Sequence, residues 1–224
     1  MKESSFPSLE AVVTDEHFAE VDVALRRGRH IGREDGILYD YLVEARAWLE
    51  PFYQQFGADL VQKSDGYFYL LPNSERLGRR QLSAGEMLVG QALALFYLDP
   101  ASLETGGVIA RDALLQRLLG LFGAERLFRI LHPQKRRYDE RIAAEDVRKT
   151  IQRALNQLAE SGFIDLFDSK DKRARGEATL RLRPALMRFA EPVRGLEDRA
   201  AALERLVLRG EVTLAQSAED EEAS

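Results

Sequence analysis

Residues 58–71 read Ala58-Asp59-Leu60-Val61-Gln62-Lys63-Ser64-Asp65-Gly66-Tyr67-Phe68-Tyr69-Leu70-Leu71. Two short apolar segments of β type flank Lys63-Ser64-Asp65-Gly66, whose Asp-Gly pair is a strong local hairpin signal. A helix-patterned stretch that begins near Val43 runs straight into this hairpin. The same order returns between Val147 and Leu182. There a helical pattern leads into Gly162-Phe163-Ile164-Asp165-Leu166-Phe167, a polar loop from Asp168 to Glu177, and Ala178-Thr179-Leu180-Arg181-Leu182. The two copies agree in pattern and not in residue identity, so the repeat argues architecture alone.

That architecture is a mainly α chain with short β-hairpins (α+β), organised as tandem winged-helix domains. Such domains bind nucleic acid or protein and rarely do chemistry. The chain divides into a flexible lead-in (1–14), a first winged-helix domain (15–76), a second (77–195), a C-terminal helix (196–212) and an acidic disordered tail (213–224). Ser and Pro interrupt any apolar period in the lead-in. A helix capped by Thr14 follows, with Phe18, Val21, Ala24 and Leu25 on one face and Gly28 at its end. Gly28-Arg29-His30-Ile31-Gly32 reads as a turn. The next helix, from about Gly36, carries Leu38, Leu42, Ala45 and Leu49, and Pro51 is expected to kink or divide it.

Pro72 to Gln81 is a polar, basic linker without period, which places the domain boundary there. Met87 to Leu98 is apolar on nearly every side, the pattern of a domain centre or a subunit interface. Gly106-Gly107-Val108-Ile109 reads as a short strand that leads into a helix from Arg111 to Leu121, and another helix covers Glu125 to Leu131. His132 to Arg141 is a charged loop. A helix with Ala144-Glu145-Asp146 as its acidic start then runs to Gly162. At ~100° per residue, Val147, Ile151, Ala154, Leu155 and Leu158 share one arc, while Lys149, Gln152, Arg153 and Asn156 point the other way. Pro184 opens a short helix through Phe189, and the last helix carries Leu196, Ala200, Leu203, Leu206 and Val207.

With 224 residues, 45% hydrophobic and 31% charged, the chain is long enough to bury a real core and is globular. It has no cysteine, which removes disulfides, thiolate metal sites and a cysteine nucleophile and fits a reducing cytoplasm. No apolar run reaches the ~18 residues of a membrane span, and the start lacks the basic-then-apolar order of a secretory signal, so no membrane partner is expected. The formal net charge of −5 argues against coating nucleic acid along the whole surface, yet it hides local excess. From Ala124 to Arg153 nine basic residues face five acidic ones, and from Asp168 to Arg188 seven face three. Acid collects in Glu219-Asp220-Glu221-Glu222.

The outward Lys149, Gln152, Arg153 and Asn156, preceded by Lys135, Arg136 and Arg137 and followed by Lys170, Lys172, Arg173 and Arg175 in the second hairpin loop, form a candidate DNA-binding helix and wing. Lys and Arg supply the salt-dependent phosphate attraction, and Gln and Asn can reach base edges. The competing reading is an ordinary solvated helix face. Net acidity predicts modest affinity without strong sequence preference. Arg26, Arg29 and His30 form a second candidate contact, against which stands the ordinary preference of cations for a last helical turn. His17, His30 and His132 have no metal-ligand spacing, and neither phosphate-loop nor dinucleotide glycine pattern occurs. Asp165, Asp168 and Lys170 have the composition of a metal-dependent nuclease site, but in a hairpin they read as polar strand faces and turn formers. No catalytic residue, metal or cofactor is expected.

Four strings resemble the MukE family in order and at suitable spacing: Ala24-Leu25-Arg26-Arg27-Gly28-Arg29-His30-Ile31-Gly32, Gly66-Tyr67-Phe68-Tyr69-Leu70-Leu71-Pro72, Leu95-Phe96-Tyr97-Leu98-Asp99-Pro100, and Val147-Arg148-Lys149 through Gly162-Phe163-Ile164. The likeness spans roughly residues 15 to 212. The chain looks shorter at both ends than enterobacterial members, which leaves the related MksE branch open. The resemblance implies a non-catalytic accessory subunit of a bacterial condensin, with tandem winged-helix domains. It implies a homodimer that binds a kleisin (MukF or MksF) and through it an SMC-like ATPase (MukB or MksB), in the cytoplasm at the nucleoid, for chromosome condensation and segregation. It also implies contact with DNA held at the ATPase heads, carried to this chain through Lys149, Arg153 and their neighbours only. MksE-type complexes with a nuclease partner act against plasmids, so defence is an alternative role. A free-standing dimeric transcriptional regulator is the alternative from a different class.

Overall fold

The computed structural model describes residues 5–74, 76, 81–135, 139–167 and 178–190. Within them the chain is mainly helical with two small antiparallel sheets, and it forms two compact units. The first unit comprises residues 1–81 and takes in two later strips, 159–163 and 183–185. The second holds the rest. The sequence alone assigned both strips to the second domain.

The first unit opens with α1 (Leu9–Thr14), inside the stretch that reads as a lead-in. Ser8 caps it by accepting the Ala11 N–H at 3.2 Å, and Val12 is fully buried beneath the Tyr41 hydroxyl, which donates to its carbonyl at 2.9 Å. Tertiary packing stabilises a helix too short to persist alone. Thr14 ends α1, and Asp15 supplies the acceptor ahead of α2 (Phe18–Arg26) by receiving the His17 N–H at 2.9 Å. The expected turn at 28–32 contains a strand, β1 (Ile31–Gly32). A single helix, α3 (Ile37–Gln54), then runs through Pro51 without division. The proline lies in its final turn, so the missing N–H strands only the Ala47 carbonyl.

The hairpin pairs β2 (Ala58–Lys63) with β3 (Tyr67–Pro72), with Lys63 opposite Tyr67 and Asp59 opposite Leu71. Its loop holds three residues, and Gly66 takes φ +87° while its N–H closes on the Lys63 carbonyl at 3.0 Å. β1 joins the far side of β3, which makes β3 the central strand. Successive residues Tyr67, Phe68, Tyr69 and Leu70 are all buried, so both faces of this strand are covered. Phe68 and Leu70 join the core with Leu25, Leu42, Leu49 and Tyr53. Tyr67 and Tyr69 meet the His30 ring at 5.8 and 5.3 Å, and Phe163 stands 4.3 Å from the same ring.

The second unit starts with α4 (Ala84–Tyr97), held by a reciprocal cap: the Ser83 N–H donates to the Glu86 carboxylate at 2.6 Å and the Glu86 N–H to the Ser83 hydroxyl at 3.2 Å. Leu88 through Leu95 are buried without exception, so the all-round apolar pattern is spent at the centre of this unit and within one chain. Around it lie α5 (Pro100–Glu104), β4 (Val108–Ala110), α6 (Arg111–Phe122), α7 (Ala124–Leu131), α8 (Glu140–Glu160), β5 (Ile164–Phe167), β6 (Thr179–Leu182) and α9 (Met187–Ala190). Its sheet order, β4-β6-β5, repeats the β1-β3-β2 order of the first: a short leading strand pairs with the far arm of a hairpin that follows a long helix. The C-terminal helix expected at 196–212 and the acidic tail lie outside the described residues. No helix among those described is long and apolar enough to cross a membrane.

Candidate nucleic-acid interface

α8 begins four residues ahead of the expected start because Asp139 caps it, accepting the Ile142 N–H at 3.1 Å. Its buried stripe is Ala143, Val147, Ile151, Ala154, Leu155 and Leu158, which contains all five residues that periodicity assigned to the core. Lys149, Arg153 and Asn156 are exposed and Gln152 is partly so. Arg148 is exposed beside them. The amides are committed to each other, Gln152 Nε2 donating to Asn156 Oδ1 at 2.8 Å.

The cations on this surface are not all available. Lys149 Nζ pairs with Glu145 one turn back at 2.6 Å. Lys135, from the segment ahead of the helix, pairs with Asp146 at 2.6 Å. The hydrogen bond to Glu145 raises the Lys149 ammonium above its usual range, and the bond from Lys135 holds the Asp146 carboxyl below the ordinary carboxylate value. Arg148 and Arg153 have no carboxylate partner among the described residues. Arg136, Arg137, Lys170, Lys172, Arg173 and Arg175 lie outside the described residues, as does the wing loop that would carry the last four. Further along the chain, Arg181 lies over the Phe167 ring at 5.4 Å, whereas Arg183 is buried.

Of the second candidate contact, His30 is internal, whereas Arg26 and Arg29 are ion-paired at partly exposed positions. His30 is 3% exposed, and both its backbone N–H and its Nδ1 lie 2.9 Å from the Ser161 carbonyl. A carbonyl only accepts, so Nδ1 carries the proton. Arg29 donates to Asp35 at 2.7 Å, and Arg183 donates to the other oxygen of the same carboxylate at 2.9 Å, which also accepts the Gly32 N–H. Arg26 is bound to Asp22 at 2.8 Å and lies over the Phe56 ring at 4.6 Å. Burial leaves the His30 imidazole no surface for a macromolecule. Asp35 and Ser161, the residues that organise this cluster, were not singled out in the sequence, since Asp35 reaches Arg183 across 148 positions and Ser161 reaches His30 across 131. Among the described residues, no group of three His, Cys, Asp or Glu side chains is placed to hold a metal ion.

Residues 16–194 match the family described as condensin complex protein MksE. The chain belongs to the MukE and MksE condensin family. Chromosome partition protein MukE of Escherichia coli O157:H7 is 30% identical over 195 residues, 87% of this chain and 83% of the relative. MukE of Haemophilus ducreyi is 30% identical over 197 residues, 88% and 80% of the two chains, and MukE of Histophilus somni 31% over 205, 91% and 80%. The family match begins just ahead of α2 and ends beyond α9, so both sheets, the His30 cluster and α8 lie inside it. All four strings that carry the resemblance to MukE fall within the same span.

Proposed function

We propose that this chain is a non-catalytic MukE- or MksE-like subunit of a bacterial SMC-type condensin that binds the kleisin and helps hold DNA for chromosome condensation and segregation. The observation that carries this reading is the family match along residues 16–194, together with relatives of nearly equal length named chromosome partition proteins. Its partners are a MukF- or MksF-like kleisin, a MukB- or MksB-like ATPase, a second copy of the same chain, and DNA without strong sequence preference, in the cytoplasm at the nucleoid. The repeated order of short strand, helices and hairpin supports tandem winged-helix domains, whose unpaired strand edges and grooves suit an extended kleisin segment. On α8, Lys149, Arg153 and Arg148 supply phosphate contacts, with Lys135 ahead of the helix.

Co-expression with a MukF- or MksF-like kleisin from the same genome tests the reading: the two chains are expected to purify as one complex. Protection of one defined DNA sequence by the isolated chain, with no kleisin retained, would overturn it in favour of a transcriptional regulator. A nuclease gene alongside the same kleisin and ATPase would move the role to plasmid removal. Within the assembled complex, reversing Lys149 and Arg153 to Glu is expected to weaken binding of a mixed-sequence duplex about tenfold and to flatten its salt dependence, with dimerisation intact.

A further inference from the structure

The surface of α8 carries its own anions. Glu145 and Asp146 are consecutive, yet each holds a different lysine: Glu145 takes Lys149 on the same helix, and Asp146 takes Lys135 from outside it, both at 2.6 Å. A carboxylate oxygen and a phosphate oxygen are interchangeable acceptors for an ammonium group, and these bonds have the short length of charge-assisted pairs. We propose that Glu145 and Asp146 act as an internal brake on polyanion binding, occupying the two ammonium groups that a phosphate backbone would need. This rests on the reading of α8 as the DNA-facing helix.

The face then binds DNA by exchange. Each lysine that meets a phosphate must release a carboxylate, and the released carboxylate recruits a cation from solution, which offsets part of the counterion release that drives association. Arg148 and Arg153, without carboxylate partners among the described residues, attract first, and the lysines follow only where the duplex is held long enough. Three of the four side chains are more than half exposed, Lys149 at 59%, Glu145 at 69% and Lys135 at 52%, and Asp146 at 23% still reaches solvent. The exchange is therefore shallow: freeing each lysine is worth about 1.5- to 5-fold in affinity, the range of exposed ion pairs. The competing role for these acids is ordinary support of a helix N-terminal half, which would change stability and leave DNA affinity where it was.

The test is fluorescence anisotropy of a mixed-sequence DNA duplex with the full chain bound to its kleisin, across a salt titration. Glu145→Gln combined with Asp146→Asn is expected to raise affinity roughly 2- to 20-fold at low salt and to steepen the slope of log affinity against log salt. Glu125→Gln is the control: Glu125 makes the same kind of one-turn pair, with Arg129 at 2.8 Å, but on α7. It changes net charge equally per residue and should leave binding nearly unchanged. An unchanged affinity in the double variant, with native circular dichroism, overturns the brake, and so does an equal rise with Glu125→Gln. If Lys149→Glu with Arg153→Glu also leaves binding unaltered, the assignment of α8 has failed and the brake with it; if those reversals weaken binding and the amide variant does nothing, only the brake has.

Discussion

Gly162 shows how one position fixes a cluster. It holds φ +74°, and a Cβ built there would sit 2.2 Å from the His30 carbonyl oxygen, which is backbone and cannot turn aside. Gly162→Ala is therefore expected to lose more than the ~1–2 kcal/mol of a left-handed alanine, read as a lower urea midpoint at unchanged slope. A variant within 0.5 kcal/mol of the parent would show that the strip 159–163 can lift away. The sequence read Gly28 to Gly32 as a turn and offered Arg26, Arg29 and His30 as an outward contact. His30 instead faces inward while Arg29 stays partly exposed, and Asp35 and the Ser161 carbonyl supply the counterion and the acceptor that make burial of Arg183 and His30 tolerable. Nothing local announces partners so distant in the chain.

At the scale of elements the sequence was far more legible, because helices and hairpins are decided by neighbours a few residues apart. The α8 stripe, the Asp-Gly turn, β4 leading into α6, and α7 follow from period, glycine placement and charge at helix starts. The departures have local causes as well. α1 depends on tertiary contact, Asp139 moves the start of α8 forward, and Pro51 falls where a helix can spare a donor. β3 held a further clue in its unbroken Tyr67-Phe68-Tyr69-Leu70 run, since a strand that does not alternate has something on each side. Ser83→Ala removes half of the reciprocal cap on α4 and is expected to cost about 1 kcal/mol by thermal or chemical unfolding. Because α4 is buried on all sides, the loss should appear in the cooperative transition and not as fraying of one end. The polar side of α8 was legible as a face, whereas the pairing of Lys149 with Glu145 and of Lys135 with Asp146 needed coordinates.

For the whole molecule, the repeat in sequence became two sheets with one strand order, but the division between units is not a single cut. The first unit is completed by 159–163 and 183–185, so Phe163 and Arg183 belong to the packing of His30 and Asp35. A fragment ending at Gln81 is expected to expose the Tyr67 and Tyr69 side of its sheet, to bind a hydrophobic dye and to unfold without a sharp transition. A cooperative, dye-free fragment would mean that the two strips are dispensable. The same discontinuity sets a clock on synthesis. The amino-terminal part leaves the ribosome early but lacks its closing pieces until about 100 further residues are made, which at roughly 5–20 residues per second is several seconds or more of an incomplete, sticky nascent chain.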